Sequence, residues 1–322
     1  MGDAAAQAVG AENIPVIDIT PLRDGRDAQK VADALHTASE GLGFIYVSGH
    51  GIAQDAIDGA RSCAYEFFRA PETQKATVAV SKSHRGWLAS GGAKMSDDAA
   101  PDLKESFIWG IQGDAGALPD RHPLRGENRW PTFVPALEGA AMAYFWQAHE
   151  VAHHLMRGFA VGLGLAQDRF LRTADKPLSR ASFVYYPPQP ADSAGPRFGV
   201  GAHTDFGVLT VLCQDDVGGL EVQTVSGDWI AAPPIPGTLI VNVGDLLSRW
   251  TDGAYVSTPH RVINRSGRER MSLVLAYDPN PETVIDPRDI FGPHHRAGAE
   301  PTTCGDYLID RFGRAFAYRA KA

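Results

Sequence analysis

The sequence has few cysteines and no long apolar run. Its three cysteines, Cys63, Cys213 and Cys304, are far apart and odd in number, so they fit neither a disulfide framework nor a zinc pattern. A reducing compartment, the cytoplasm, is therefore expected. No segment approaches the roughly 20 apolar residues of a membrane span, and residues 1–13 lack the basic and apolar regions of a signal peptide. We expect no association with a membrane.

Positive charge is also scarce. The 322 residues carry a formal net charge of -8, and no long basic cluster offsets it. A nucleic-acid partner is therefore not expected. Hydrophobic residues make up 44% and charged residues 21% of the chain, which is typical of a globular protein with an ample core. We expect a monomer or a weak homo-oligomer.

The first half of the chain has a helical texture. Residues 1–12 are small and polar and predict a disordered tail. Apolar residues at helical spacing predict helices over 27–42 and 54–70. Residues 81–129 are irregular and rich in Gly, Asp and Pro, with one strand predicted at 106–109. A loop region this long in a compact domain is usually functional or flexible.

The second half begins with the longest predicted helix, residues 132–165. After this helix the sequence pattern changes from helical spacing to short apolar runs. After Pro177, about seven short apolar runs alternate with Gly and Pro turns, with no helix between them. This pattern predicts an antiparallel barrel or jelly roll, closed by a helix over 307–318. We thus expect a mixed α and β protein in which helices wrap a β-barrel as one structural unit. Its parts are the tail 1–12, an N-terminal region 13–130, the long helix and connection 131–177, and a barrel core with its C-terminal helix, 178–322.

The stretch GAHTDFGVLTV, residues 201–211, carries a candidate pair of metal ligands. His203 and Asp205 are two residues apart. On a strand this spacing places both side chains on one face, about 6 to 7 Å apart. An imidazole and a carboxylate are two of the three ligands in a facial triad of two histidines and one carboxylate, which holds iron(II) and leaves positions open. Such a pair alone is weak evidence, because it is more often a surface or salt-bridged histidine.

A third ligand has to come from the barrel half, which contains three further candidates. His260 lies in STPHRVIN, at the beginning of a predicted strand, where its side chain can point into the barrel. His294 and His295 lie in a Gly/Pro loop and are expected to be solvated. We therefore choose His260.

Arg270 lies ten residues after His260, immediately before the predicted strand MSLVLAY, and Ser272 is the second residue of that strand. Because Arg270 and Ser272 are two residues apart, their side chains share one face of the strand. A guanidinium inside a barrel requires an anion. A dicarboxylate co-substrate fits, because arginine grips a carboxylate through two hydrogen bonds, and Tyr186 offers a phenolic hydrogen bond. The alternative is a salt bridge from Arg270 to an acidic residue on the barrel rim.

A second motif, H-E-x-x-H, lies on the long helix at His149, Glu150 and His153. In zinc proteases both histidines bind the metal and the glutamate activates water. Met156 and Phe159 stand where the extended protease motif needs Gly and His, and no glutamate follows shortly downstream to complete a zinc site. The apolar stripe puts both histidines on the flank of the helix, where a side chain that is solvated or capped by a hydrogen bond is expected. A zinc metalloprotease remains a remote alternative.

Several longer motifs resemble one known family. Four stretches resemble the C-terminal half of the iron(II)/2-oxoglutarate-dependent dioxygenases of the isopenicillin N synthase-like family: HTDFGVLTVLCQDDVGGLEV, WIAAPPIPGTLIVNVGDLL, STPHRVIN and ERMSLVLAYDPNP. Other stretches resemble the N-terminal region of that family: IPVIDI, GFIYVSGHGI, RGW and DLKESFIWG. The resemblance covers nearly the whole chain, in order. It implies a double-stranded β-helix, or jelly roll, wrapped by helices.

The resemblance also implies cofactors and an activity. It implies Fe(2+) held by His203, Asp205 and His260. It implies 2-oxoglutarate held by Arg270, Ser272 and Tyr186. The implied enzyme uses O2 to oxidise, most often to hydroxylate, a C–H bond of a small organic molecule, with release of succinate and CO2.

Two features leave alternatives open. Many plant-type members have Asn where this chain has Val184, so one contact to 2-oxoglutarate is in question. The family also contains iron-dependent oxidases that do not use 2-oxoglutarate and share the Arg-x-Ser pair. A catalytically idle binding protein on the same scaffold is a third possibility, against which the intact ligand set argues.

The substrate is the least constrained part of the prediction. Aromatic residues in segments that flank the site in the family are candidate pocket walls: Trp87, Phe107, Trp109, Phe198 and Trp250. These residue types favour a small molecule with apolar or aromatic surface. Arg85 and Arg197 are candidates to bind a carboxylate on it, although an exposed arginine is more common.

Overall fold

The structure is a computed structural model that describes residues 14–26, 28–93, 102–112, 122–189 and 198–319. The predicted tail, residues 1–12, and two parts of the predicted loop region lie outside these ranges. None of the described helices is both long and apolar enough to cross a bilayer.

Fourteen strands are formed by the described residues. In the N-terminal region they are β1 (Val16–Asp18), β2 (Phe44–Ser48), β3 (Gly86–Leu88) and β4 (Glu105–Gly110). In the remainder of the chain they are β5 (Arg180–Tyr186), β6 (Val200–His203), β7 (Leu209–Gln214), β8 (Leu220–Gln223), β9 (Trp229–Ala231), β10 (Leu239–Val243), β11 (His260–Val262), β12 (Arg270–Tyr277), β13 (Val284–Ile285) and β14 (Thr302–Thr303).

Eight α-helices accompany these strands in the described part of the chain. They are α1 (Thr20–Asp24), α2 (Ala28–Gly41), α3 (Gln54–Arg69), α4 (Glu72–Lys75), α5 (Leu137–Gly162), α6 (Asp245–Trp250), α7 (Arg288–Phe291) and α8 (Cys304–Ala315). Short 3-10 turns lie at Ala76–Val78, Leu171–Thr173 and Ala317–Arg319.

The strands form two large sheets. The major sheet has eight strands in the order β1-β2-β10-β7-β12-β5-β4-β3, and the minor sheet has four in the order β6-β11-β8-β9. Apart from the parallel pair β1 and β2, neighbouring strands in both sheets are antiparallel. This arrangement is the jelly roll that the sequence predicts, and the prediction is confirmed.

Two apolar layers hold the fold together, one on each face of the major sheet. The inner layer joins the two sheets, for example through Phe44 and Tyr186 from the major sheet and Val222 and Val262 from the minor sheet. The outer layer packs the opposite face of the major sheet against α3 and α5. Most strands of the major sheet are therefore buried on both faces, which gives continuous apolar runs in place of a clean alternation.

The predicted helices are present, with shifted ends. The helix predicted over 132–165 begins only at Leu137, because Pro135 disfavours a helical conformation of the residue before it. The closing helix begins at Cys304, before the predicted position 307, because the side chain of Thr303 accepts a hydrogen bond from the backbone N–H of Asp306 and caps it.

Candidate metal centre and co-substrate site

Strand β6 ends at His203, and Asp205 lies in the turn that leads to β7. The prediction that both residues share one face of a strand is therefore wrong. The turn brings Asp205 Oδ1 to 3.9 Å from His203 Nε2, closer than a strand would. The turn is tightly packed: Asp278 accepts the backbone N–H of Val208, and a Cβ on Gly207 would lie 2.4 Å from an oxygen of Asp278.

The third candidate ligand lies directly opposite the first. His260 on β11 is paired in register with His203 on β6, and its Nε2 is also 3.9 Å from Asp205 Oδ1. Ligand atoms of the three residues all lie within 4.8 Å of one another, and the described residues contain no second group of this kind. His294 is exposed, whereas His295 pairs with Asp252, so neither joins the cluster.

Hydrogen bonds set the orientation of both imidazoles. His203 Nδ1 lies 2.8 Å from the carbonyl of Gly201, and His260 Nδ1 lies 3.2 Å from the carbonyl of Thr258. A carbonyl accepts only, so each Nδ1 carries the proton and each Nε2 keeps its lone pair. Burial, together with the neighbouring His260, holds the pKa of His203 well below its usual range. The imidazole is thus neutral at physiological pH, the state a metal ligand requires.

Two further residues, which the sequence analysis missed, hold the carboxylate. Asn242 Nδ2 donates to Asp205 Oδ2 over 2.8 Å, and Thr210 donates to the same carboxylate. Burial opposes ionisation of Asp205, but His260, His203 and these two hydrogen bonds lower its pKa. Thr210 and Asn242 are paired across β7 and β10. The available signal was a polar residue in the middle of each apolar run, Thr210 in VLTVLC and Asn242 in LIVNV.

Arg270 is completely buried and has only neutral hydrogen-bond partners. Its Nε donates to the carbonyl of Gly218 over 2.5 Å, Nη1 to Ser272 Oγ over 2.8 Å and Nη2 to Gln214 Oε1 over 3.3 Å, and the guanidinium lies 4.6 Å from the ring centre of Tyr186. No described carboxylate lies within ion-pair distance, so the described residues do not form the alternative salt bridge to the rim. The structure brings Arg270, Ser272 and Tyr186 together.

The predicted wall residues of the first half lie on the wrong face of the sheet. Trp87, Phe107 and Trp109 point into the outer layer, against the helices. Trp109 packs on Phe183, and the Nε1 of Trp87 donates to Glu105. Neighbouring residues in a strand point to opposite sides, so the residues beside them face the barrel interior instead. The structure corrects this part of the pocket prediction.

The other two predicted wall residues are also placed elsewhere. Trp250 is 2% exposed and packs edge-on against Phe170 in the outer layer. Phe198 lies under the guanidinium of Arg261, 5.5 Å from it, on the outward side of β11. Arg85, expected to be exposed, is 2% exposed. The other candidate for binding a carboxylate, Arg197, lies outside the described residues.

The H-E-x-x-H motif does not form a metal site in the described structure. His149 is 5% exposed, and its Nε2 lies 3.2 Å from Ser179 Oγ, so of the two expected outcomes it is hydrogen-bonded and not solvated. The side chain of Glu150 is 62% exposed and lies near His153 and His154. The motif gathers no third ligand among the described residues.

The chain belongs to the 2OG-Fe(II) oxygenase superfamily. The model of that superfamily matches residues 179–279, and a second model, described as "non-haem dioxygenase in morphine synthesis N-terminal", matches residues 14–133. The protein is therefore an enzyme, an Fe(II)- and 2-oxoglutarate-dependent dioxygenase that uses O2 as co-substrate, as the resemblance implied.

Named relatives agree over nearly the full length. A homoarginine-6-hydroxylase of Oryza sativa subsp. japonica is 32% identical, with 92% of this chain and 96% of the relative covered. A 2-oxoglutarate-dependent dioxygenase of Didymella fabae is also 32% identical, with 92% of this chain and 95% of the relative covered. A full-length Neurospora crassa protein, whose crystal structure is a complex with alpha-KG and thymine, is 28% identical with a TM-score of 0.83, covering 96% of this chain and 99% of that one.

Proposed function

We propose that His203, Asp205 and His260 are the three protein ligands of the ferrous ion. The observation that carries the proposal is the convergence of two histidine Nε2 atoms and one carboxylate oxygen, with both Nδ1 atoms occupied by backbone carbonyls. Two neutral imidazoles and one ionised carboxylate are the donor set that non-haem iron(II) oxygenases use. When bound, iron supplies the activation of O2 that makes an unreactive C–H bond oxidisable.

We further propose that Arg270, Ser272 and Tyr186 bind the distal carboxylate of 2-oxoglutarate. Arg270 is buried without an anion among the described residues, and a buried cation is stable only when it is paired. Gly218, Gln214 and the Tyr186 ring hold the guanidinium in one orientation. Val184 offers no side-chain hydrogen bond at the position of the family's Asn, so 2-oxoglutarate lacks any contact that such an Asn supplies.

The reaction we propose is the oxidation, most often hydroxylation, of one C–H bond of a small organic molecule, coupled to conversion of 2-oxoglutarate to succinate and CO2. The chain's part is to bind both molecules, orient the C–H bond and exclude water. The relative named homoarginine-6-hydroxylase and the Neurospora crassa complex with thymine support a small-molecule substrate.

Succinate release tests this function. The purified protein, Fe(II) and 2-oxoglutarate are incubated in air with a metabolite panel that includes thymine and homoarginine, and succinate and oxidised products are detected by mass spectrometry. We expect one panel member to stimulate succinate formation with an equimolar hydroxylated product. Oxygen uptake and product formation without succinate would instead identify an oxidase that does not use 2-oxoglutarate.

We also propose that the protein is a monomer or weak homo-oligomer in the cytoplasm. The large apolar side chains that are exposed in the described ranges are Val16, Trp146, Val225, Val284 and Phe291, which come from separate segments. The cysteines Cys63, Cys213 and Cys304 are free thiols, which supports a reducing compartment.

A further inference from the structure

A small cavity of about 120 Å³ opens on the interior wall of the major sheet. It lies over β3, β4, β5 and β12, next to Phe316 at the end of α8. We call it the inner cavity and define it by three nitrogen-bearing residues, His84, Lys104 and Arg180, and three apolar ones, Leu88, Ile108 and Val184. Its volume is below the roughly 300–1,000 Å³ of pockets for drug-sized ligands, so a small molecule fits it best.

The inner cavity adjoins the candidate metal centre through Lys104. Asp102 accepts the backbone N–H of Gly201 over 3.0 Å, two residues before His203. The ammonium of Lys104, a residue of the cavity wall, lies 3.4 Å from Asp102. Asp102 therefore links Lys104 to strand β6, which carries His203.

Arg180 connects the cavity to the other side of the metal centre. Its Nη1 donates to Asp278 over 2.6 Å, and Asp278 holds the turn that follows Asp205 through the N–H of Val208. A guanidinium has five N–H donors. Among the described side chains, Asp278 is the one that accepts a hydrogen bond from Arg180. Further donors are available to a ligand at the cavity wall.

The surroundings of the cavity carry more positive than negative charge. Burial and the cations Arg180, Arg85, Arg319 and Lys104 together lower the pKa of His84 well below its usual range. Asp102 balances Lys104 and Asp278 balances Arg180. Arg85 donates only to the carbonyls of Ser83 and His84, and its Nε is buried without a partner among the described residues. Among the described residues, Lys104 and Arg180 are each paired with a carboxylate, whereas the buried Arg85 is not.

We propose that the primary substrate is a small carboxylic acid whose carboxylate binds between Lys104 and Arg180 and whose apolar part lies on Leu88, Ile108 and Val184. This proposal rests on the function proposed above. Charge-assisted hydrogen bonds from an ammonium and a guanidinium favour a carboxylate, and a bound anion offsets the charge of the nearby buried Arg85, which has no described carboxylate partner. Because Lys104 pairs with Asp102, which accepts the N–H of Gly201 two residues before His203, a carboxylate held there lies at the wall of the cavity that is linked to strand β6.

The test compares matched acids and amides. Phenylacetate, 3-phenylpropionate and hexanoate, each with its primary amide, are titrated calorimetrically into protein loaded with Mn(II) and 2-oxoglutarate, which does not turn over. We expect at least one acid to bind at least about tenfold more tightly than its amide. Lys104→Met should abolish that preference, Lys104→Arg should retain it, and neither should alter the affinity for 2-oxoglutarate.

Two control variants separate substrate binding from folding. Lys104→Met leaves Asp102 buried and unpaired, so the double variant Asp102→Asn/Lys104→Met is tested beside it, since asparagine still accepts the Gly201 N–H. Lys30→Met, a change of an exposed lysine on α2, should behave as wild type. Equal affinity for acids and amides, no binding of any acid, or an acid preference that survives in the double variant would each overturn the proposal. Succinate formation by the same wild-type preparation tests the proposed function separately.

Discussion

His203 and His260 face each other in register across β6 and β11, and each ring is bonded through Nδ1 to the carbonyl two residues earlier in its own strand segment. The same local arrangement thus fixes both rings with Nε2 towards Asp205. Because these hydrogen bonds come from the backbone of the fold itself, the ligands are already oriented, and little rearrangement of the rings is needed when a metal binds.

Removal of either imidazole should abolish tight iron binding. We expect His203→Ala and His260→Ala each to lower the affinity for Fe(II), or for Mn(II) as a stable substitute, by more than about 100-fold, because loss of a direct ligand should exceed the 10–100-fold effect of an outer-shell partner. Anaerobic calorimetric titration measures this. His149→Ala is the matched control and should bind metal as wild type; the opposite pattern would return the metal site to the H-E-x-x-H motif.

Asn242 and Gln214 are polar residues on neighbouring strands, but substitutions there should have different effects. We expect Asn242 to affect the binding of the metal and Gln214 to affect the binding of 2-oxoglutarate. Asn242→Leu removes the donor to Asp205 Oδ2 and should weaken metal binding about 10–100-fold. Gln214→Leu removes the partner of Arg270 Nη2 and should raise the KM for 2-oxoglutarate while metal affinity is unchanged. If both variants changed the same parameter, the two sites would not be separate as described.

Arg270 should dominate the affinity for 2-oxoglutarate. Arg270→Ala removes charge-assisted hydrogen bonds of about 1.5–3 kcal/mol, so we expect the affinity for 2-oxoglutarate to fall at least about tenfold. Binding is measured anaerobically in the presence of metal, and the apparent affinity is then measured in turnover. Arg314→Ala, at a largely exposed arginine on α8, is the control. An unchanged affinity in Arg270→Ala would remove this residue from the proposed role.

Buried His149 should make the fold less stable in mild acid. Burial, with a smaller effect of His153, lowers its pKa from 6.5 to about 4. The unfolded chain therefore binds a proton between these values that the folded chain does not, and stability falls as the pH falls from 6.5 towards 4. At pH 5 the loss is about 2 kcal/mol. We measure the free energy of unfolding in urea at pH 7.5 and at pH 5. The decrease between these two pH values should be about 2 kcal/mol smaller in His149→Gln than in wild type.

Identical pH dependence of the free energy of unfolding in wild type and His149→Gln would show that His149 is protonated in the folded protein. The variant keeps an amide near the position of Nε2, which Ser179 can still meet, so a general loss of packing is minimised.

The proposed metal ligands and co-substrate residues could be predicted from the sequence, because their side chains have the chemistry that these roles require. His203, Asp205 and Arg270 are of types that need a partner when they lie in apolar strands, and the resemblance placed them in order. The turn at Asp205 was not accessible, because its packing depends on Asp278, which lies 70 residues beyond Val208 in the chain.

The substrate pocket was misplaced for a different physical reason. Strand β4 is buried on both faces, so its sequence contains no polar alternation that tells the inner face from the outer one. The pocket wall was predicted from the large aromatic residues Phe107 and Trp109, but both lie in the outer layer, where they pack against the helices. The smaller neighbours Ser106 and Ile108 face the cavity.

The order of strands in the major sheet has a consequence for the front of the chain. Strands β1 and β2 pair beside β10 at one end of the sheet, and β4 and β3 pair beside β5 at the other. A fragment starting at residue 131 would present two bare edges, each with backbone donors and acceptors ready to recruit a foreign strand. The N-terminal region of this enzyme thus covers both of these edges and leaves only the three-residue strands β1 and β3 at the ends of the sheet.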